Sequence, residues 1–306
     1  MRIGTRGSAL ALRQSEMVQA ALPGAAAEHP LRVIKTSGDL NPSASLTRLG
    51  GKGLFTKEIE DALLAGEIDL AVHSLKDLPT EQPPGLTIGA LLPREDPRDA
   101  LVSRGGRGLM ELPSGARVGT SSLRRRSQIL ARRPDLKVED LRGNVPTRVK
   151  RALEGPLDGA VVAAAGLKRL GLFDHAVEVI DESVLLPAPG QGVIAIQIRT
   201  KDTRTAEAVR VLHDPVAAAE ALAERALLSG LGGGCIVPVG ARAHAGEGRI
   251  DLAAFVGHPS GRPTVRRSAA GSIDAPEELG RALALAMLAR GAREILDEVR
   301  SMERFP

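Results

Sequence analysis

Short apolar runs and amphipathic stretches take turns along the first two thirds of the chain. Arg2–Thr5 predicts a strand, followed by a Gly7-Ser8 turn and an amphipathic helix over Ala9–Leu22 with Ser8 as its N-cap. Leu31–Thr36 predicts a second strand, Phe55–Leu64 a helix, Ile68–His73 a third strand and Leu86–Leu92 a fourth. This order points to an α/β unit with mainly parallel strands. Pro93-Arg94-Glu95-Asp96-Pro97 then marks a hinge. A second series follows: strands over Ala100–Ser103, Val118–Thr120, Val138–Leu141 and Gly159–Ala163, with helices over Ser122–Arg132 and Val145–Leu153. It ends at Leu186-Pro187-Ala188-Pro189-Gly190-Gln191-Gly192, ahead of the apolar strand Val193–Ile198, so the chain is expected to return to the first unit. Two crossings between two α/β lobes enclose a cleft, a favoured place for a ligand.

The last ninety or so residues change character. A helix over Pro215–Leu228 runs into Ser229-Gly230-Leu231-Gly232-Gly233-Gly234-Cys235. Three strands are predicted over Val237–His244, Arg249–Val256 and Thr264–Ala270, joined by turns at Gly246-Glu247-Gly248 and Pro259-Ser260-Gly261, and one helix over Pro276–Val299 follows them. Consecutive strands followed by a helix imply a small α+β domain with a three-stranded antiparallel sheet. The expected division is 1–93 with 192–212, 97–187, and 213–306.

Composition narrows the classes. Of 306 residues, 43% are hydrophobic and 25% charged, as in an ordinary globular protein. A single cysteine, Cys235, excludes an internal disulfide and a cysteine-cluster metal site. No stretch approaches the roughly 20 apolar residues of a membrane span, and the N-terminus carries charge where a signal peptide needs an apolar core. The expectation is a cytoplasmic protein with no metal and no membrane contact. With no Trp, no Tyr and four Phe, stacking platforms for nucleic-acid bases are scarce. The net charge of +4 hides an uneven spread: Arg94 to Arg151 holds 15 bases against 7 acids. Arg outnumbers Lys 33 to 8. A local basic segment suggests a defined anionic ligand.

Four constellations could carry chemistry. A lone cysteine is more often a small buried hydrophobe, but the three glycines before Cys235 let backbone approach closely, and attachment of a prosthetic group stays open. Gly119-Thr120-Ser121-Ser122-Leu123-Arg124-Arg125-Arg126 brings three hydroxyls and three guanidiniums to a helix start, where free N–H groups and forked cations attract carboxylate or phosphate. Arg142-Gly143-Asn144 and Arg148 should join it at the carboxyl edge of the sheet, whereas Arg126, Arg132 and Arg133 read as solvated charge. His73-Ser74-Leu75-Lys76-Asp77 places hydroxyl, ammonium and carboxylate at the end of a strand, and such a carboxylate can stabilise a developing cation and relay protons. Thr5-Arg6-Gly7-Ser8 repeats the anion geometry in the first lobe. Gly50-Gly51-Lys52-Gly53 lacks the Walker spacing, which argues against an NTPase.

Together with Gly50-Gly51-Lys52-Gly53-Leu54-Phe55, Arg94-Glu95-Asp96-Pro97-Arg98-Asp99, Leu141-Arg142-Gly143-Asn144, Gly166-Leu167-Lys168-Arg169-Leu170-Gly171 and Gly233-Gly234-Cys235, these motifs make the chain resemble the porphobilinogen deaminases, also called hydroxymethylbilane synthases, essentially end to end. The resemblance implies two lobes built like type II periplasmic binding proteins, each with a parallel or mixed sheet, plus a third domain. It implies a transferase that joins four porphobilinogen molecules with release of ammonia, in haem-type biosynthesis, and that works as a monomer. The implied cofactor is a dipyrromethane linked by a thioether to Cys235. The catalytic carboxylate falls on Asp77, with Lys76 and Arg6 beside it. Cofactor contacts fall on Ser74, Lys76, Asp77, Thr120, Ser121, Ser122, Arg124, Arg125 and Arg148, and substrate contacts on Arg6, Ser8, Phe55, Arg142, Arg169 and Gln191. Porphobilinogen carries an acetate and a propionate, so a growing oligopyrrole is a polyanion that matches a cleft of forked cations. Arg48 stands where the family often has lysine, and Gly232 where an acidic residue often stands. A noncatalytic two-lobed binder of a small organic acid would leave the third domain and Cys235 unexplained. A nucleic-acid binder would rest on charge alone.

Overall fold

The computed structural model describes residues 1–40, 56–233 and 237–304. In chain order, the first lobe contains β1 (Ile3–Thr5), α1 (Ala9–Ala21), β2 (Leu31–Val33), α2 (Ser37–Leu40), α3 (Lys57–Leu64), β3 (Leu70–Ser74) and β4 (Leu86–Leu91). The second contains β5 (Asp99–Ser103), β6 (Arg117–Gly119), α4 (Leu123–Arg132), β7 (Lys137–Glu139), α5 (Val145–Glu154), β8 (Gly159–Ala163), α6 (Ala164–Arg169) and β9 (Glu178–Val179). The chain then returns through β10 (Ile194–Arg199) and α7 (Thr203–Arg210). The C-terminal domain contains α8 (Pro215–Gly230), β11 (Val239–Gly246), β12 (Arg249–Gly257), β13 (Thr264–Ser272), α9 (Pro276–Met287) and α10 (Arg293–Arg304).

The two large sheets share one topology. Their strand orders are β2-β1-β3-β10-β4 and β7-β6-β8-β5-β9. In each, the strand beside a crossing, β10 or β5, is inserted antiparallel between neighbours, while β1–β2, β1–β3, β6–β7 and β6–β8 pair in parallel. The sheets are therefore mixed, within the parallel or mixed arrangement expected of each lobe. Two lobes of one topology, with a three-stranded antiparallel sheet, β11-β12-β13, as a third unit, are the arrangement that the resemblance implies. Central strands are covered on both faces and are largely apolar, with Gln197 of β10 and His73 of β3 as buried polar exceptions. Ile194, Ile196 and Ile198 of β10 pack with Ile3, Val18, Leu70 and Val209 in one cluster, Ala195 packs with Leu75 and Leu91 in another, and Ile59, Leu63 and Ile68 fill a third cluster of the same lobe.

Helices begin where side chains satisfy their first N–H groups. Ser8 accepts from Ala11 N at the start of α1, Ser122 from Arg125 N at α4, Asn144 from Thr147 N at α5 and Asp214 from Ala217 N at α8. The single C-terminal helix expected over Pro276–Val299 is broken: Arg290 leaves helical geometry and Gly291 has φ 97°, so α9 and α10 are separate. Gly232 has φ 96°, and the Arg300 guanidinium lies where its Cβ would stand, so an acidic side chain would have to displace that arginine.

The two crossings lie side by side and are tied to α8. Glu95 N donates to Gly192 O at 3.2 Å. Glu224, fully buried, accepts from both terminal nitrogens of Arg94 at 2.9 Å, from Gly190 N at 2.7 Å and from Ala243 N at 2.9 Å. One carboxylate of the third domain thus holds both inter-lobe segments.

Candidate active site

The carboxyl ends of β1 and β3 form the first half of the site. β1 delivers Arg6 and Ser8, and β3 runs directly into Ser74, Lys76 and Asp77. Arg6, Ser8, Ser74 and Asp77 line an open pocket with about 430 Å³ of empty space, together with Gln14, Thr56 and His73. Asp77 is exposed there. Gln14, only 2% exposed, donates from Nε2 to Ser74 Oγ at 3.0 Å and ties α1 to the end of β3. Sequence reasoning missed Gln14, because a polar residue inside a helix gives no sign of what it meets sixty positions later.

A polar chain leads from this half to the other lobe. Lys76 Nζ donates to Gln191 Oε1 at 3.2 Å, and Gln191 Nε2 donates to Pro97 O at 2.6 Å and Asp99 Oδ1 at 2.9 Å. Asp99, fully buried at the start of β5, accepts from Arg124 Nη1 on Oδ2 at 2.7 Å and from Arg125 Nη2 on Oδ1 at 2.7 Å. Arg124 and Arg125 are 4% and 5% exposed. They are buried ion-pair partners, where the sequence read them as an open cleft wall. Asp99 itself escaped prediction because its partners lie a full β-α unit further along the chain.

Around the start of α4, Thr120 Oγ1 accepts from Ser122 N at 3.2 Å, and Ser121 Oγ is buried with no hydrogen-bond partner among the described residues. Arg148 on α5 donates from Nε to Gly143 O at 2.8 Å, one residue from the half-buried Arg142. Arg169, at the end of α6, reaches the second crossing through Nη2 and Gly192 O at 2.6 Å, while its buried Nε has no partner among the described residues. Two arginines assigned to solvent are anchored instead. Arg126 donates to Val138 O, and Arg133 binds Asp135 and the carbonyls of Leu109, Met110 and Leu112. Arg132, exposed, donates to Ser183 O. Phe55 and Cys235 lie outside the described residues.

The electrostatics follow from burial and crowding. Burial pushes the Lys76 ammonium down to about 8; Asp77 and Asp99 oppose the fall, and Arg125 and Arg124 add to it. Burial also pushes Arg148 down to about 10, with Arg125 adding and Asp77 opposing. These couplings bring Asp77 and Lys76 of one lobe into the field of Arg125 and Arg148 of the other. Burial alone would raise the Asp99 carboxyl, but the two guanidiniums outweigh it and hold it well below the usual carboxylate range.

The donors fit a bound polyanion such as dipyrromethane. The Ser121 hydroxyl and Arg169 Nε are buried with no hydrogen-bond partner among the described residues, and Arg124 makes both its hydrogen bonds through Nη1. Buried donors left unmet are costly unless a ligand engages them. Among the described residues no cluster suits a metal ion, and no helix is long and apolar enough to cross a membrane.

Residues 1–207 match the family model "Porphobilinogen deaminase, dipyromethane cofactor binding domain", and residues 218–289 match "Porphobilinogen deaminase, C-terminal domain". The porphobilinogen deaminase of Syntrophobacter fumaroxidans is 48% identical over 303 residues, covering 98% of this chain and 97% of the relative. That of Rubrobacter xylanophilus is 50% identical over 302 residues, covering 98% of each. Among solved structures, a zinc-bound ligand-binding component of an ABC-type import system from Staphylococcus aureus aligns at 12% identity with a TM-score of 0.36, over 76% of this chain and 74% of that one. The full-length matches and the two family models make this chain a member of the porphobilinogen deaminase family, the transferases that synthesise hydroxymethylbilane with a dipyrromethane cofactor.

Proposed function

We propose that the chain joins four porphobilinogen molecules head to tail, releasing ammonia at each addition, with the growing chain anchored through a thioether at Cys235. The observation that carries this reading is the polar chain Lys76–Gln191–Asp99 with Arg124 and Arg125, which runs from the neighbour of Asp77 to the start of α4 in the second lobe. When bound, dipyrromethane supplies the pyrrole carbon on which the chain grows.

The protein's own groups divide the remaining work. Asp77, exposed in a pocket shared with Arg6 and Ser8, accepts from a pyrrole N–H and stabilises the cation formed as the substrate loses ammonia. The same carboxylate can carry the proton released when the new bond forms. Lys76, held by Gln191, stands beside it as a cation whose ordinary value has fallen toward neutrality. Ser74, Thr120, Ser121, Ser122, Arg124, Arg125 and Arg148 hold the carboxylates of the anchored rings, and Arg6, Ser8, Phe55, Arg142, Arg169 and Gln191 receive the incoming one. Guanidinium forks suit acetate and propionate because each can give two parallel N–H bonds to one carboxylate. Ammonia release from porphobilinogen by the Asp77→Asn holoenzyme tests the assignment. Turnover is expected to fall by at least about 100-fold with the adduct retained, and near-normal turnover would refute it.

A further inference from the structure

We infer that Asp99 is a positioning residue for the transfer reaction, fixing Arg124 and Arg125 as a pair and, through Gln191, holding the Lys76 ammonium next to Asp77. The inference rests on the catalytic reading above and adds a residue that touches neither substrate nor cofactor in it.

Asp99 is fully buried, and its two oxygens take four hydrogen bonds. Oδ2 accepts from Arg124 Nη1 at 2.7 Å, while Oδ1 accepts from Arg125 Nη2 at 2.7 Å, Arg125 Nε at 3.2 Å and Gln191 Nε2 at 2.9 Å. Backbone carbonyls complete the lock: Arg124 Nη1 also reaches Leu186 O, and Arg125 Nη1 reaches Val161 O. Two guanidiniums side by side without a counter-charge would repel and seek water. One carboxylate beneath them removes half that charge and sets their planes, yet engages Arg124 through Nη1 alone. The third acceptor contact extends the effect across the lobes. With its amide nitrogen committed to Asp99 and Pro97 O, Gln191 must present Oε1 to Lys76.

A purely structural carboxylate would affect stability and leave the titration of the site alone. A positioning carboxylate reaches further. The groups facing Lys76 are Asp77 and Asp99, which favour its charged form, and Arg125 and Arg124, which oppose it. Neutralising Asp99 removes a favourable charge, unbalances two unfavourable ones and frees Gln191 to turn, so each effect drives the ammonium down.

The test compares parent and Asp99→Asn holoenzymes, following ammonia release from porphobilinogen across the alkaline pH range. The variant is expected to lose at least about tenfold in kcat and to show the alkaline limb of kcat/KM displaced to lower pH by about half a unit or more. The substrate's own amine titrates identically in both reactions, so a displaced limb belongs to the protein. Coincident limbs overturn the inference, whatever the rate. Should Asp99→Asn fail to fold, Gln191→Met serves instead: it removes the acceptor on Lys76 while sparing the buried ion pairs, and it must displace the limb in the same direction or the inference falls. A parent that neither carries the adduct nor releases ammonia sinks the catalytic reading itself, which is a separate outcome from a normal parent with an unmoved variant.

Discussion

His73 sits one residue before the exposed end of β3 with 6% of its surface accessible and Nε2 3.2 Å from Gln197 Oε1. Burial pushes its imidazole down to about 4, against the bond to Gln197, and the Arg6 charge adds to the fall. The native protein therefore holds this ring neutral, while the unfolded chain protonates it near 6.5. Its contribution to stability is complete above that value and is lost as pH falls toward 4, by about 3 kcal/mol. Urea unfolding at pH 7 and pH 4.5 should show a smaller acid loss for His73→Gln than for the parent; equal losses would contradict the burial argument. Residues of this kind mark how far the sequence could be read. His73-Ser74-Leu75-Lys76-Asp77 was recognisable as one strand end because its members are contiguous, and so was the hydroxyl and arginine run at the start of α4. The partners were not recognisable: nothing in a linear reading joins Asp99 to Arg124, or Gln14 to Ser74, because burial and pairing are decided by strands that meet only in the fold. The same blindness assigned Arg126 and Arg133 to solvent although each is anchored on backbone carbonyls.

Elements were legible where local chemistry sets their limits. The N-caps Ser8, Ser122 and the Pro-led start of α8 carry their own signals, and most strands fell within a few residues of their apolar runs. The helix Ala164–Arg169 went unread because it follows β8 with no intervening turn residue. The break at Gly291 was overlooked because a lone glycine inside a helical pattern is usually tolerated. Strand direction was legible only as parallel or mixed, since β5 and β10 run against their neighbours where the chain changes lobe beside them. Helix α8 is the element on which these crossings depend. Glu224 receives Arg94, Gly190 N and Ala243 N while wholly buried, so Glu224→Ala leaves the Arg94 guanidinium with Glu220 alone as its counter-charge within 4 Å and two backbone donors unmet. We expect a loss of about 3–5 kcal/mol, read as a lowered denaturation midpoint. A midpoint within experimental error of the parent's would show that the joint contributes nothing.

Across the whole molecule, seven of the fifteen bases between Arg94 and Arg151 show three different uses of positive charge. Arg94, Arg124 and Arg125 are matched by buried carboxylates, Arg126 and Arg133 brace backbone, and Arg142 and Arg148 stand at the carboxyl edge of the second sheet. Only part of the basic segment thus faces the cleft, and the predominance of arginine serves internal forks as much as ligand carboxylates. Both lobes share one topology, and the polar chain from Lys76 to Asp99 crosses between them, so a growing polyanion would be gripped from two sides while its anchor stays on the third domain. The intact mass of the denatured purified protein reads that anchor without intermediaries. A mass above that of the 306-residue chain by two pyrrole units, absent from Cys235→Ala, is expected, whereas an unmodified chain that still converts porphobilinogen would contradict a covalent anchor.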